Sequence, residues 1–186
     1  MSEPLIGLLT GPVGVGKTTI AERLVALARR QGVRCGGVLA PALKDTCGQK
    51  AGIWGVDVSS AERRILARTD RDLGGPSVGP YSFDADALAW TIRVLEAAIG
   101  DYDLLIVDEI GKMELWWGSG LAPILPHLAA GEAERALVLV RDFLLAELQS
   151  RLPAVDHVVF QASEENRSQL PAHVLAGLEL GALAER

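Results

Sequence analysis

Leu5-Ile6-Gly7-Leu8-Leu9-Thr10-Gly11-Pro12-Val13-Gly14-Val15-Gly16-Lys17-Thr18-Thr19 is the stretch that decides the fold. An apolar run over residues 5–9 leads into G-x-x-x-x-G-K-T over residues 11–18, and a helix-like segment follows. The spacing has a physical reason. Backbone N–H groups of a glycine-rich loop can converge on one anion, and bulky side chains would block the approach. The next helix adds its N-terminal dipole. Gly11, Pro12, Val13, Gly14, Val15 and Gly16 are therefore expected to cradle phosphate, with Thr18 and Thr19 opening the helix. Lys17 supplies charge for β- and γ-phosphates, and the Thr18 hydroxyl can ligate Mg²⁺.

Outward from this loop the chain alternates strand and helix. Residues 18–31 read as a helix: Ile20, Leu24 and Leu27 share one face, and Gly32 ends it. Residues 34–40 read as a strand closed by Pro41, so a βαβ unit and a parallel sheet are expected. Residues 50–58 and 63–67 flank the polar turn Ser59-Ser60-Ala61-Glu62 and predict a hairpin inserted at about 50–67. Residues 70–80, rich in glycine with two prolines, predict a loop. Residues 84–99 predict a helix capped by Asp84, with Leu88, Ile92, Leu95 and Ile99 as its stripe. Residues 113–130 predict an interrupted helix, and residues 135–140 a buried strand. A short helix capped by Asp142, a strand over 155–160, and a helix from Ser163 to about residue 180 complete the chain. The expected fold class is α/β in a single domain over residues 1–186. A mostly parallel central sheet would carry helices on both faces and the inserted β-hairpin.

The second informative segment is Asp103-Leu104-Leu105-Ile106-Val107-Asp108-Glu109. Its apolar run marks a central parallel strand whose C-terminal end delivers two carboxylates. In an open parallel sheet ligands sit at the strands' carboxyl ends, so the acids face the glycine-rich loop. Adjacent strand residues point apart, so the two acids take different roles. Asp108 suits Mg²⁺, and Glu109 suits the attacking water as positioning group or base. A further cation near the γ-phosphate is expected. Arg141, directly after the 135–140 strand, is one candidate; Arg63, Arg64, Arg68 and Lys112 are others. His127, His157 and His173 lack companions at ligand spacing and read as structural or exposed. Trp116 and Trp117 read foremost as core.

Composition bounds the rest. With 186 residues the chain can build a full core. A net charge of −6, with no basic stripe, argues against a nucleic-acid partner. Cys35 and Cys47 fit no zinc pattern and read as reduced thiols. The run over 5–9 is too short for a signal core or a membrane span, so no membrane partner and a cytoplasmic address are expected. A protein partner or a homodimer stays open.

The run Val107-Asp108-Glu109-Ile110-Gly111-Lys112-Met113-Glu114-Leu115 resembles the signature of the THEP1-type nucleoside-triphosphatases, the family of the human cancer-related nucleoside-triphosphatase. The GPVGVGKTT loop, Gly36-Gly37-Val38, the AGIWGVDV segment and Glu165-Asn166-Arg167 agree with it in order along nearly the whole chain. The resemblance implies a P-loop NTPase three-layer sandwich. It also implies Mg²⁺-dependent, slow hydrolysis of ATP, GTP, CTP or UTP. It carries Gly11, Gly14, Gly16, Lys17, Thr18 and Thr19 over as phosphate and Mg²⁺ binders, Asp108 as the Walker B acid and Glu109 as the catalytic carboxylate. Asn166 and Arg167 would lie near the base. Two alternatives remain on the same scaffold. One is a nucleotide or small-molecule kinase with an arginine-bearing lid. The other is a nucleotide-switched binding protein.

Overall fold

The structure, a computed structural model, describes residues 3–180. Ten strands form one mixed sheet. Five belong to a parallel core: β1 (Leu5–Thr10), β2 (Cys35–Leu39), β8 (Leu104–Ile110), β9 (Arg135–Val140) and β10 (Asp156–Gln161). Their order is β10-β1-β9-β8-β2, so β9 stands between the strand that enters the phosphate loop and the strand that carries the acids. This placement positions the site.

The inner parallel strands are apolar on both faces because helices cover both, whereas β10 at the edge buries only Phe160. Leu9, Leu104, Ile106, Leu137 and Leu139 point to one layer, where α1 (Lys17–Arg30) and α6 (Leu170–Gly177) pack. Ile6, Leu8, Leu105, Val107, Val138 and Val140 point to the other. That layer holds α2 (Ala85–Ala98), α3 (Lys112–Trp117), α4 (Ile124–Ala129) and α5 (Leu145–Ser150). α1 buries Ile20, Ala21, Leu24, Val25 and Ala28, and places Arg29 and Arg30 in its last turn, where they complement the dipole. Gly32 follows with φ 80° and ends it as the periodicity requires. α2 is capped by Asp84, whose carboxylate accepts the Ala87 N–H at 2.7 Å.

The hairpin is a continuation of the main sheet. β4 (Lys50–Asp57) runs antiparallel to β2, pairing Val38 with Asp57, and β5 (Arg63–Arg68) pairs with β4. Three short strands go further than the sequence suggests. β3 (Ala42–Lys44) pairs with β4, and the expected loop over 70–80 contains β6 (Ser77–Val78), which pairs with β7 (Tyr81–Phe83). Leu66, Ala87, Leu88 and Met113 seal this extension against α2 in a smaller cluster.

Two helix starts differ from expectation. Asp142 opens a 3₁₀ turn (Asp142–Leu144) ahead of α5, and its carboxylate bonds the adjacent Phe143 N–H. Ser163 and Asn166 bond reciprocally, the Ser163 N–H to Asn166 Oδ1 and the Asn166 N–H to Ser163 Oγ, and shape a turn. The helix proper begins only at Leu170, with Pro171 in its first turn, where its missing N–H costs no bond.

Gly37 shares with Gly52 the tightest backbone approach in the sheet. Its φ is 101°, and a Cβ there would stand 2.2 Å from the Ile106 carbonyl oxygen on β8. Gly37→Ala is expected to destabilise the protein by at least about 2 kcal/mol, from the left-handed strain plus the clash. A urea melt with an unchanged midpoint would contradict this.

Candidate active site

The loop between β1 and α1 takes its shape from three glycines with positive φ: Gly11 at 149°, Gly14 at 84° and Gly16 at 100°. A Cβ on Gly11 would meet the Ala162 carbonyl oxygen at 2.7 Å, so the loop is pressed against the segment leaving β10. Gly16 caps α1, whose first N–H groups have no acceptor in their own helix. Lys17 is only 7% exposed; its Nζ donates to the Gly11 carbonyl at 3.0 Å and the Pro12 carbonyl at 3.4 Å. The ammonium therefore lies over the mouth of the loop. Pro12, Val13 and Thr19 are exposed on its rim.

β8 brings its acids to the same edge of the sheet. The ladder with β9 is irregular between Val107 and Ile110, around the acids. Asp108 is 4% exposed and accepts the Ala40 N–H at 2.9 Å. Burial pushes its carboxyl up to about 6; the Ala40 N–H, the Thr18 hydroxyl and the Lys17 charge pull it back, and the Glu109 charge pushes it further up. A buried carboxylate beside a hydroxyl is a hard oxygen pair of the kind that holds Mg²⁺. Thr18 and Asp108 thus fit such an ion through oxygens alone.

Glu109 is half-buried and paired. Arg141 Nε donates to Glu109 Oε1 at 2.8 Å. The pairing follows from the strand order: Arg141 leaves the end of β9, between the loop after β1 and the acids of β8. The remaining candidate cations are engaged elsewhere. Arg63 lies over the Trp54 ring, Arg64 pairs with Glu62 at 2.9 Å, and Arg68 with Asp70 at 2.7 Å. Lys112 sits over Trp116 and Phe143, 4.9 and 5.4 Å from the ring centroids. Asn166 is taken up by the turn after β10, donating to the Gln161 carbonyl at 2.8 Å. Arg167 borders the loop, lining a small cavity with Gly16 and Thr19.

Two features escape the sequence. Trp116 and Trp117 are surface residues, 50% and 55% exposed, rather than core. Trp116 donates its Nε1–H to Glu147 at 2.7 Å. Glu114, on the other hand, is buried at 6% exposure. Its carboxylate accepts the Gly111 N–H at 2.8 Å and the Leu121 N–H at 2.9 Å, tying the segment after β8 to the turn before α4. Burial raises its carboxyl above the usual range. Glu114→Ala strands both N–H groups and is expected to cost about 2–4 kcal/mol in a urea melt. A loss under about half a kcal/mol would show the bonds to be incidental.

The histidines stay away from the site. His127 pairs with Glu132 at 2.6 Å, and His157 meets Gln149 at 3.1 Å. Cys35 is buried, Cys47 exposed, and both are free thiols. Among the described residues no helix is long and apolar enough to cross a membrane.

Known proteins resemble this chain in sequence and in fold. Residues 7–175 match a family model described as NTPase. The nucleoside-triphosphatase THEP1 of Methanopyrus kandleri is 31% identical over 180 residues, spanning 92% of this chain and 96% of that protein. Its counterpart in Thermotoga maritima is 33% identical over 181 residues, spanning 92% and 94%. The crystal structure of THEP1 from the hyperthermophile Aquifex aeolicus superposes with a TM-score of 0.74 over 94% of this chain and 99% of that one. At 23% identity, that likeness is one of fold.

Proposed function

The chain belongs to the NTPase family, and we propose that it is a Mg²⁺-dependent nucleoside-triphosphatase acting as one domain. It would release phosphate from the γ position of ATP, GTP, CTP and UTP, slowly and with little base preference. The observation that carries this is the Glu109–Arg141 pair, set one residue after the buried Asp108. A carboxylate there can take a proton from water, and a guanidinium fixes its orientation.

The roles follow from position. Amides of the 11–17 loop and Lys17 hold the triphosphate. Thr18 and Asp108 would hold Mg²⁺, which when bound supplies Lewis-acid neutralisation of phosphate oxygens. Glu109 accepts a proton from the attacking water as its oxygen bonds to the γ-phosphorus. The bond from the γ-phosphorus to the β–γ bridging oxygen breaks, and the nucleoside diphosphate leaves with that oxygen. Arg141 bonds Glu109 through Nε alone, so its terminal nitrogens can meet the developing charge. A kinase lid would draw on Arg63, Arg64, Arg68 and Arg71, and of these Arg63, Arg64 and Arg68 are held by Trp54, Glu62 and Asp70, which leaves Arg71. Nucleic acid is not a partner in this account, the free thiols suit the cytoplasm, and no partner protein is needed for the chemistry.

The test is NTP with Mg²⁺ and no acceptor. Steady phosphate release is expected, and EDTA is expected to stop it. A protein that binds nucleotide under these conditions yet releases no phosphate would overturn the proposal.

A further inference from the structure

Most arginines of this chain have partners. Arg34 pairs with Asp103, Arg135 with Glu179 and Arg151 with Glu147, and Arg29 bonds the Val58 carbonyl. Arg30, Arg71 and Arg93 are exposed and make no ion pair or side-chain hydrogen bond among the described residues; Arg23 on α1 and Arg167 in the turn after β10 also stand alone. Neither has an ion pair or hydrogen bond from its side chain among the described residues. Both nevertheless line one cavity of about 150 Å³, together with Val15, Gly16, Thr19 and Ile20. Two unengaged guanidinium groups from separate elements thus flank one slot at the side of the phosphate loop.

The strand order says what enters this slot. β1 is central, β9 and β8 lie on one side of it, and β10 lies on the other. Arg141, Asp108 and Glu109 stand at the ends of β9 and β8, so the γ-phosphate faces that side. The segment leaving β10 hugs the loop, with the Ala162 N–H bonded to the Thr10 carbonyl at 2.8 Å, and then reaches Arg167. A triphosphate laid across the loop must therefore send its nucleoside toward β10, into the cavity between α1 and the 163–167 turn.

We infer that Arg23 and Arg167 form a two-sided guanidinium clamp on the nucleobase, with Arg23 a base-binding residue that no motif marks. The inference rests on the triphosphate site proposed above. A guanidinium plane stacks on the π-face of any base. Discrimination between bases needs donors and acceptors aimed at the base edge, and Thr19 is the one other polar side chain lining the slot. The clamp accordingly holds all four bases and reads none of them, which gives broad substrate choice a structural cause.

Equilibrium binding tests this without turnover. ATP, UTP and inorganic tripolyphosphate are titrated, with Mg²⁺ and at about 0.15 M salt to screen long-range charge. Arg23→Ala is expected to weaken ATP and UTP binding about tenfold, within the range for a stacked cation. Tripolyphosphate, which has no base, should keep its affinity within about twofold. Arg23→Lys should not restore nucleotide binding, because an ammonium has no plane to stack. Unchanged nucleotide affinity in Arg23→Ala would overturn the clamp. So would an equal loss for tripolyphosphate, which would make Arg23 a phosphate ligand, or full rescue by lysine. Both arginines are exposed and make no structural bonds, so the variants fold. A wild type that binds ATP without hydrolysing it would remove the hydrolysis proposal alone. A wild type that hydrolyses ATP while Arg23→Ala binds normally would remove the clamp alone.

Discussion

Glu109→Gln is expected to bind nucleotide within a few-fold of wild type and to release phosphate about 10²–10⁴-fold more slowly, the usual contribution of a positioned general base. The substitution is chosen for what it keeps. The amide oxygen can still accept from Arg141 Nε, so the 2.8 Å contact and the packing at the end of β8 survive. Only basicity and charge are lost. Glu109→Ala would also release Arg141, and a defect there would mix two causes. The measurement is single-turnover phosphate release from protein first shown to bind ATP. Wild-type turnover in Glu109→Gln would mean that Glu109 is neither base nor water-positioning group, and that the acid beside Asp108 serves structure. Arg141→Ala should then separate positioning from charge. If Arg141 only orients Glu109, the double variant is no worse than Glu109→Gln alone.

How much of this was legible depends on the range of the physics involved. The parallel core was readable because its inner strands are buried on both faces. Unbroken apolar runs such as 104–107 and 136–140 admit little else. α2 was readable to within a residue because Asp84 is a cap with an immediate partner. Short-range chemistry is written locally. β3, β6 and β7 are not, since two or three residues carry no periodicity and exist as strands only through pairing with β4, β5 and each other. The Glu109–Arg141 pair spans 32 positions and depends on β9 lying between β1 and β8, an order the sequence does not state. Nothing in the sequence around Glu114 marks it as buried. A glutamate three residues into a helix is a capping signal, but glycine at the cap position hid it. The tryptophans failed for the opposite reason: a large apolar ring is a good core residue on average, and α3 is too short to bury two adjacent ones. Arg23 had no local mark at all; only the cavity it shares with Arg167 singles it out.

Asp108→Asn is expected to abolish turnover, by about 100-fold or more, and at the same time to make the metal-free protein more stable at pH 8. The sign follows from its environment. Burial raises the folded-state carboxyl from 3.8 to about 6. The folded protein therefore holds this proton more tightly than the unfolded chain does. Stability from this group is fully present below about pH 4, falls as pH rises toward 6, and stays lost above it. Raising the carboxyl from 3.8 to about 6 on folding corresponds to about 3 kcal/mol at pH 8. Asparagine removes the charge, keeps the shape, and can still accept the Ala40 N–H through its amide oxygen. A gain of about 1–3 kcal/mol is therefore expected in urea melts at pH 8 with EDTA, shrinking toward zero near pH 4. If Asp108→Asn is instead less stable at pH 8, the ionised carboxylate must be better compensated by Lys17 and Thr18 than its burial implies. If the gain appears, then Asp108 is held charged against the preference of the folded chain. A buried acid that costs stability where no metal is bound is what a site would retain only for a cation arriving with the triphosphate, and that ties Asp108 to the phosphate loop more firmly than its position at the end of β8 does.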